Sequence, residues 1–168
     1  MKRIAVALAI VLTLAFTPQA NAVSPTLAVA PDHIGGYQRA LFPTWLDVLH
    51  DGCTARKEVL IQEAVIAPKK GAGCYLTGGE WIDPYSGNKM TKYSSVQIDH
   101  LVPLAEVWRS GGYAWTAAER TYYANDIFDP RTLIAVSGRL NEQKSDSDIA
   151  NWQPPGGYMA GCQYVKDW

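Results

Sequence analysis

Val96-Gln97-Ile98-Asp99-His100-Leu101-Val102-Pro103-Leu104 is the stretch on which the reading of this chain turns. Apolar and polar residues alternate up to an acid and an imidazole, and an apolar turn with proline follows. That pattern predicts a strand delivering two reactive side chains to its end. Neighbouring strand residues point to opposite faces, so Asp99 and His100 address one site only if the strand ends or turns there. Pro103 supplies such a stop. An aspartate can ligate a hard cation while an adjacent histidine takes a proton from water. A hydrogen-bonded histidine with no chemistry at a strand end would give the same dipeptide, so the rest of the chain must decide.

Residues 1–22 have the layout of a secretory signal peptide: Met1-Lys2-Arg3, an apolar run from Ile4 to Phe16, then Ala20-Asn21-Ala22. Export and cleavage after Ala22 are expected. No later stretch approaches the roughly 20 apolar residues of a membrane span, so no anchor is expected after cleavage. Cleavage leaves 146 residues, enough for one domain with a core, and 13 basic against 16 acidic residues. That balance lacks the excess positive charge usual in sequence-independent DNA binders. A nucleic-acid function must therefore rest on local basic groups or a bound cation. Of the three cysteines, Cys53 and Cys74 are natural partners in an oxidising compartment, closing a 21-residue loop at a gain of ~3 kcal/mol in the chain-entropy model. Cys162 is left over. Without a C-x-x-C pair, zinc ligation by the three cysteines is the weaker idea.

Residues 23–36 read as a flexible leader ending in Gly35-Gly36. Helical spacing of Tyr37, Leu41, Trp45, Leu46 and Leu49 predicts a helix interrupted or started by Pro43, and a second helix is predicted over 54–67 with Thr54 as N-cap. Tyr75–Thr77 and Glu80–Ile82 read as a hairpin across Gly78-Gly79. After the central strand come a short helical turn at 105–108 and a helix starting at the capping box Thr116-x-x-Glu119. A strand over 131–136, a helix from Arg139 to Lys144, and a helical turn capped within Ser145–Asp148 follow. Six tryptophans and nine tyrosines suggest aromatic-clamped cores.

Asn141 falls in the first turn of the helix after the second strand, where its neutral amide oxygen could ligate a cation beside Asp99. Lys144, at i+3, shares its face and could reach a phosphate oxygen. Alone, Asn141 reads equally as a helix cap or a surface residue. The combination is more specific. Asp-His-Leu-Val-Pro-Leu-Ala-Glu-x-Trp at 99–108, Tyr-Ala-Asn-Asp at 123–126 and Leu-Asn-x-x-Lys-x-Asp at 140–146, with Trp152 and Pro154-Pro155, closely resemble secreted HNH-type endonucleases. They also resemble the C-terminal nuclease domain of GmrSD-type restriction enzymes. Asp51-Gly52-Cys53, Arg56, Cys74 and Asp83-Pro84-Tyr85-Ser86-Gly87 match the secreted branch as well.

The resemblance implies a small α+β single domain over residues 37–168, centred on a ββα-metal finger at about 94–153, with a disulfide-tied helical N-terminal part. By that likeness His100 is the general base, and Asp99 and Asn141 hold one divalent metal, Mg2+ or Mn2+. Arg131, Arg139 and Lys144 are the candidate phosphate contacts, and Glu106 is a candidate partner of His100 or of a metal-bound water. The pattern's usual middle asparagine is missing, since Arg131-Thr132-Leu133 stands at the second strand. Thr132 or Asn125 is the candidate support for the loop after His100. Secreted members of this type usually continue past a Cys-x-Tyr-x-x-x-Trp segment like Cys162–Trp168 and carry a further cysteine, so three readings of Cys162 stay open: a free thiol, a link between chains, or a partner that lay beyond Trp168. The expected protein is a secreted monomeric endonuclease cutting DNA, and RNA as a second substrate, with low sequence specificity. Two other readings remain open at this point. One is a cell-wall glycan-binding module with a structural cation, and the other is a catalytically inactive nucleic-acid binder.

Overall fold

The computed structural model describes residues 30–168, so the expected signal peptide and the leader as far as residue 29 lie outside the described residues. In chain order the elements are α1 (Ala55–Gln62), β1 (Lys69–Lys70), β2 (Leu76–Thr77), β3 (Trp81–Ile82), β4 (Lys89–Met90), β5 (Val96–His100), α2 (Leu104–Arg109), α3 (Ala117–Ala124), β6 (Leu133–Ser137), α4 (Gly138–Lys144) and α5 (Cys162–Asp167). The result is a small mixed fold of helices and two-stranded sheets, stapled by a Cys53–Cys74 disulfide.

The β5–β6 pair organises the rest. The two strands are antiparallel, with Val96 opposite Ser137 and His100 opposite Leu133. The run Leu133-Ile134-Ala135-Val136 is apolar throughout because β6 is buried on both faces, and its residues sort by the strand's period of two. Leu133 and Ala135 join a core with Val96, Ile98, Val59, Leu60, Trp81 and the disulfide. Ile134 and Val136 join another with Leu101, Leu140, Tyr85, Met159 and Tyr164. A third core packs Phe42, Leu104, Val107, Trp108 and Ala124 together, tying the N-terminal segment to α2 and α3. Helix α4 follows β6 directly. Gly138 permits that turn, since a Cβ there would stand 2.9 Å from Gln97 Nε2.

Several expectations from the sequence hold and others shift for identifiable reasons. The capping box at Thr116 and Glu119 forms with both reciprocal bonds. Thr54 precedes α1 as expected, but its side chain makes no capping bond, and the helix ends at Gln62, before the expected 67. Only a 3-10 turn at Arg39–Leu41 forms where the spacing predicts a helix over 37–49. Pro43 lacks a donor, and Trp45 takes a positive φ of 63°, which no helix accommodates. The hairpin expected across Gly78-Gly79 is absent. Instead β2 pairs back onto β1, and β3 pairs forward onto β4 across the turn at Asp83–Asn88. After α4 the chain leaves helical geometry at Ser145, whose φ is 51°, and Asp148 caps only a turn, accepting from the Ala150 and Asn151 backbones. Helix α5 has no clear sequence signal, being six residues long with one buried side chain, Tyr164.

Glu63, just past α1, accepts the Ala135 amide of β6 at 2.7 Å, on the edge that β5 leaves unpaired. Burial raises its carboxyl to about 7 against the pull of that bond. The folded chain therefore holds a proton that the unfolded chain releases near the ordinary value of 4.5. This contribution to stability is fully present below that value and is lost as pH rises toward 7. Allowing for partial exposure, the loss should be about 2 kcal/mol. Denaturant melts at pH 5 and pH 8 should show it, and Glu63→Gln should flatten that interval. An unchanged slope in the glutamine variant would remove Glu63 as the cause.

Candidate active site

Asp99 and His100 point to opposite faces of β5, as their adjacency requires, and each is braced by a different set of residues. On the α4 side, Gln97 and Asp99 stand two residues apart on the strand and meet Asn141 and Lys144, three apart on the helix. Asn141 Nδ2 donates to Gln97 Oε1 at 2.8 Å. The fully buried Lys144 Nζ reaches Asp99 Oδ1 at 3.0 Å and Oδ2 at 2.9 Å, and also donates to the His100 carbonyl at 2.9 Å. Tyr85 Oη donates to Asp99 Oδ2 at 2.6 Å from the core beneath. Burial pushes the Asp99 carboxyl up, opposed by the Lys144 charge and the Tyr85 bond. It likewise pushes the Lys144 ammonium down, opposed by Asp99. Burial, then Asp99, raises the Tyr85 hydroxyl, which keeps it a donor.

On the other face, His100 Nε2 lies 3.0 Å from the carbonyl oxygen of Ala124. A carbonyl only accepts, so Nε2 carries the hydrogen and Nδ1 is left with its lone pair. Trp45 and Tyr123 flank the ring at centroid distances of 5.9 and 6.2 Å. Burial lowers the imidazole to about 4, so the ring is neutral near pH 7.

Buried Asn125 sets this wall. Its Oδ1 accepts the Leu46 amide at 2.9 Å and its Nδ2 donates to the Pro43 carbonyl at 2.7 Å, which pins the loop on both sides of left-handed Trp45. Thr132 supports the chain after His100 through its backbone, its carbonyl accepting the Leu101 amide at 3.1 Å. Tyr123 Oη adds a bond to the Val102 carbonyl at 2.9 Å. The support sought in one residue is thus divided between Asn125, which holds the wall beside the ring, and Thr132 and Tyr123, which hold the loop.

Asp99, His100 and Asn141 line one cavity of about 340 Å³, together with Trp45, Arg39 and Arg56. Asp99, His100 and Arg39 also line a second cleft of about 530 Å³, walled by Trp108, Arg109 and Asp146. Neither Arg39 nor Arg56 has a carboxylate partner among the described residues. Arg39 donates to the Phe42 carbonyl at 3.1 Å, and Arg56 to the Val96 carbonyl at 2.9 Å. Arg56 is visible in the sequence as part of a motif. Arg39 carries no such signal, because only the 3-10 turn and the pinned loop bring it to the site.

The expected phosphate contacts, Arg131, Arg139 and Lys144, lie elsewhere. Arg131 is paired with Asp129 at 2.6 Å and lines a separate pocket beside Trp168. Arg139 is exposed on α4 and reaches Gln143. Lys144 is buried beneath Asp99, so its ammonium serves the carboxylate. Glu106 pairs with Arg109 at 2.7 Å and makes no bond to His100. Cys162 is exposed and free.

The donors suit a hard cation. Each carboxylate oxygen can accept two bonds, so Asp99 Oδ1, with Lys144 alone on it, retains a free position. Asn141 keeps its amide oxygen after Nδ2 is used. One carboxylate and one amide oxygen match a cation that retains several waters, such as Mg2+, and not the nitrogen and sulfur set of zinc. Among the described residues, the one grouping of three His, Cys, Asp or Glu ligand atoms is Cys53, Glu58 and Cys74, and its sulfurs are joined in the disulfide.

No family model matches the chain, and no solved structure matches it. An uncharacterized secreted protein of Arthroderma benhamiae (strain ATCC MYA-4681 / CBS 112371) is 38% identical over 134 residues, which are 79% of this chain. The chain spans 63% of that relative's length. Among the described residues no helix is long and apolar enough to cross a membrane. The protein, like its relative, is secreted.

Proposed function

We propose that the protein is an HNH-type endonuclease that hydrolyses phosphodiester bonds of DNA, and of RNA as a second substrate, with low sequence specificity. The observation that carries this reading is the fixed tautomer of His100. Its Nε2 hydrogen is committed to Ala124, which leaves the lone pair on Nδ1, and His100 lines a cavity with Asp99, Asn141 and two arginines that have no carboxylate partner among the described residues. In this reading β5, β6 and α4 form the ββα finger.

His100 Nδ1 accepts a proton from a water aligned with the scissile phosphorus. As the water oxygen bonds to phosphorus, the bond to the 3′ oxygen breaks, leaving 5′-phosphate and 3′-hydroxyl ends. Arg39 and Arg56 hold the phosphate in register by paired N–H donors. An anion seated there also favours protonated His100 and so raises its proton affinity when substrate is bound. Asp99 and Asn141 would hold one Mg2+ or Mn2+, which supplies charge stabilisation at the leaving oxygen when bound. Lys144 and Tyr85 are positioning residues that fix the Asp99 carboxylate.

A plasmid-nicking assay with Mg2+, Mn2+ and chelator controls tests this function. Oxidised, folded protein that cuts neither DNA nor RNA with any divalent metal would exclude it. Asn141→Ala should raise the metal concentration needed for half-maximal cleavage by at least about tenfold. An unchanged metal titration would remove Asn141 from the ligand set.

A further inference from the structure

We infer that Asp99 and Asn141 do not bind a divalent cation by themselves, because Lys144 and two arginines offset the one carboxylate, and that the substrate's own phosphate completes the cation site. Cation and nucleic acid then bind as a coupled pair. This rests on the nuclease reading and adds an order of assembly to the same site.

The charges around Asp99 are unusual for a cation site. Lys144 Nζ stands 3.0 and 2.9 Å from the two oxygens of Asp99, and the lysine side chain is fully buried there. As ammonium and carboxylate, or as amine and acid, the pair has no net charge. Tyr85 donates to the same carboxylate at 2.6 Å and takes up a further lone pair. Asn141 offers a neutral amide oxygen, and His100 adds no negative charge in either protonation state. The other charged residues lining the cavity are Arg39 and Arg56, which have no carboxylate partner among the described residues. In the neighbouring cleft Asp32 and Asp146 share Arg109 with Glu106. Both aspartates are more than half exposed, so water and salt screen them.

A hard cation is held by oxygen ligands, and its affinity follows the charge those ligands carry. One compensated carboxylate and one amide, beside two arginines, compete poorly with the cation's own water. A phosphodiester reverses the balance. Its charge sits against Arg39 and Arg56, and its oxygens supply the anionic ligand that the protein lacks. The groups that repel the cation are thus the groups that recruit its missing partner. Such coupling is reciprocal: nucleic acid tightens the cation by the same factor as the cation tightens nucleic acid.

Mn2+ titrations followed by electron paramagnetic resonance should show no saturable site on wild-type protein alone below about 1 mM, the weak end of oxygen-ligand sites. Oligonucleotide binding is read as fluorescence anisotropy on His100→Ala protein, which should leave the strand uncut. Adding Mn2+ should tighten that binding by at least about tenfold. Introducing Asn141→Ala into the same protein should abolish the gain, which separates this site from Mn2+ condensed on the strand. Arg39 is exposed, so Arg39→Gln spares the core. It should move the two affinities in opposite directions, raising that of the protein alone for Mn2+ about fivefold and lowering that for the oligonucleotide. Lys144→Met frees the carboxylate and should show a rise in melting temperature with Mn2+ that the wild-type protein lacks. A micromolar Mn2+ site on the wild-type protein alone, removed by Asn141→Ala, would overturn the inference, and so would equal oligonucleotide binding with and without Mn2+. Either result leaves the nuclease reading standing where plasmid is cut. Protein that neither binds nor cuts nucleic acid overturns that reading, and the inference falls with it.

Discussion

His100→Ala is expected to lower single-turnover cleavage of plasmid DNA by ~10²- to 10⁴-fold, the usual contribution of a positioned general base. Substrate binding should change far less, because in the proposed reading Arg39 and Arg56, which line the same cavity, would hold the phosphate. The variant should also fold, since the alanine removes one bond to Ala124 and leaves the β5–β6 ladder intact. A His100→Ala protein with full activity would overturn the assignment of the base. Loss of binding in parallel with loss of rate would instead make His100 a structural residue.

Lys144→Met carries the largest expected effect on stability. Lys144 is fully buried, and its ammonium contacts both oxygens of Asp99 and the His100 carbonyl. Methionine fills a similar volume but leaves the aspartate with Tyr85 as its one remaining partner. Removing one member of such a buried pair costs about 3–5 kcal/mol, because the other charge stays in a poorly solvating interior. Denaturant melts at pH 7 should show that loss. The double variant Lys144→Met/Asp99→Asn should recover a large part of it, since no carboxylate then remains to be compensated. A single variant as stable as the wild-type protein would mean that Asp99 does not depend on the lysine. Recovery in the double variant separates electrostatic from packing loss, and neither measurement requires activity.

Much of the framework was legible in the sequence where local pattern and burial agree. Alternation in Val96–His100 and the apolar run after Arg131 marked the two strands. Thr116 and Glu119 marked the start of α3, and an exported chain made Cys53 and Cys74 partners. Legibility failed where long-range pairing overrides local pattern. Tyr75–Thr77 and Trp81–Ile82 each look like half of one hairpin, yet each pairs with a different neighbour. Tyr37–Leu49 has helical spacing, but Asn125, some 80 residues away, holds its backbone in a loop. The candidate site divides in the same way. Asp99, His100 and Asn141 were legible from their types and order and do share a cavity. Arg39 was not, and Arg56 was visible only as part of a motif with no role attached, because formal charge does not say which cations are already neutralised. Arg131 is spent on Asp129, whereas Arg39 reaches the cavity without a carboxylate partner among the described residues.

The opposed orientation of Asp99 and His100 gives the site a division of labour in its tolerance to change. The carboxylate is anchored in the layer containing Tyr85, Ile134 and Leu140, and the imidazole leans on the layer that reaches Trp45 and Tyr123. If the proposed roles hold, sequence drift in one layer would loosen the grip on the cation and leave the proton acceptor untouched, and drift in the other would do the reverse. Two functions carried by adjacent residues can therefore be tuned separately, with the strand between them acting as a partition.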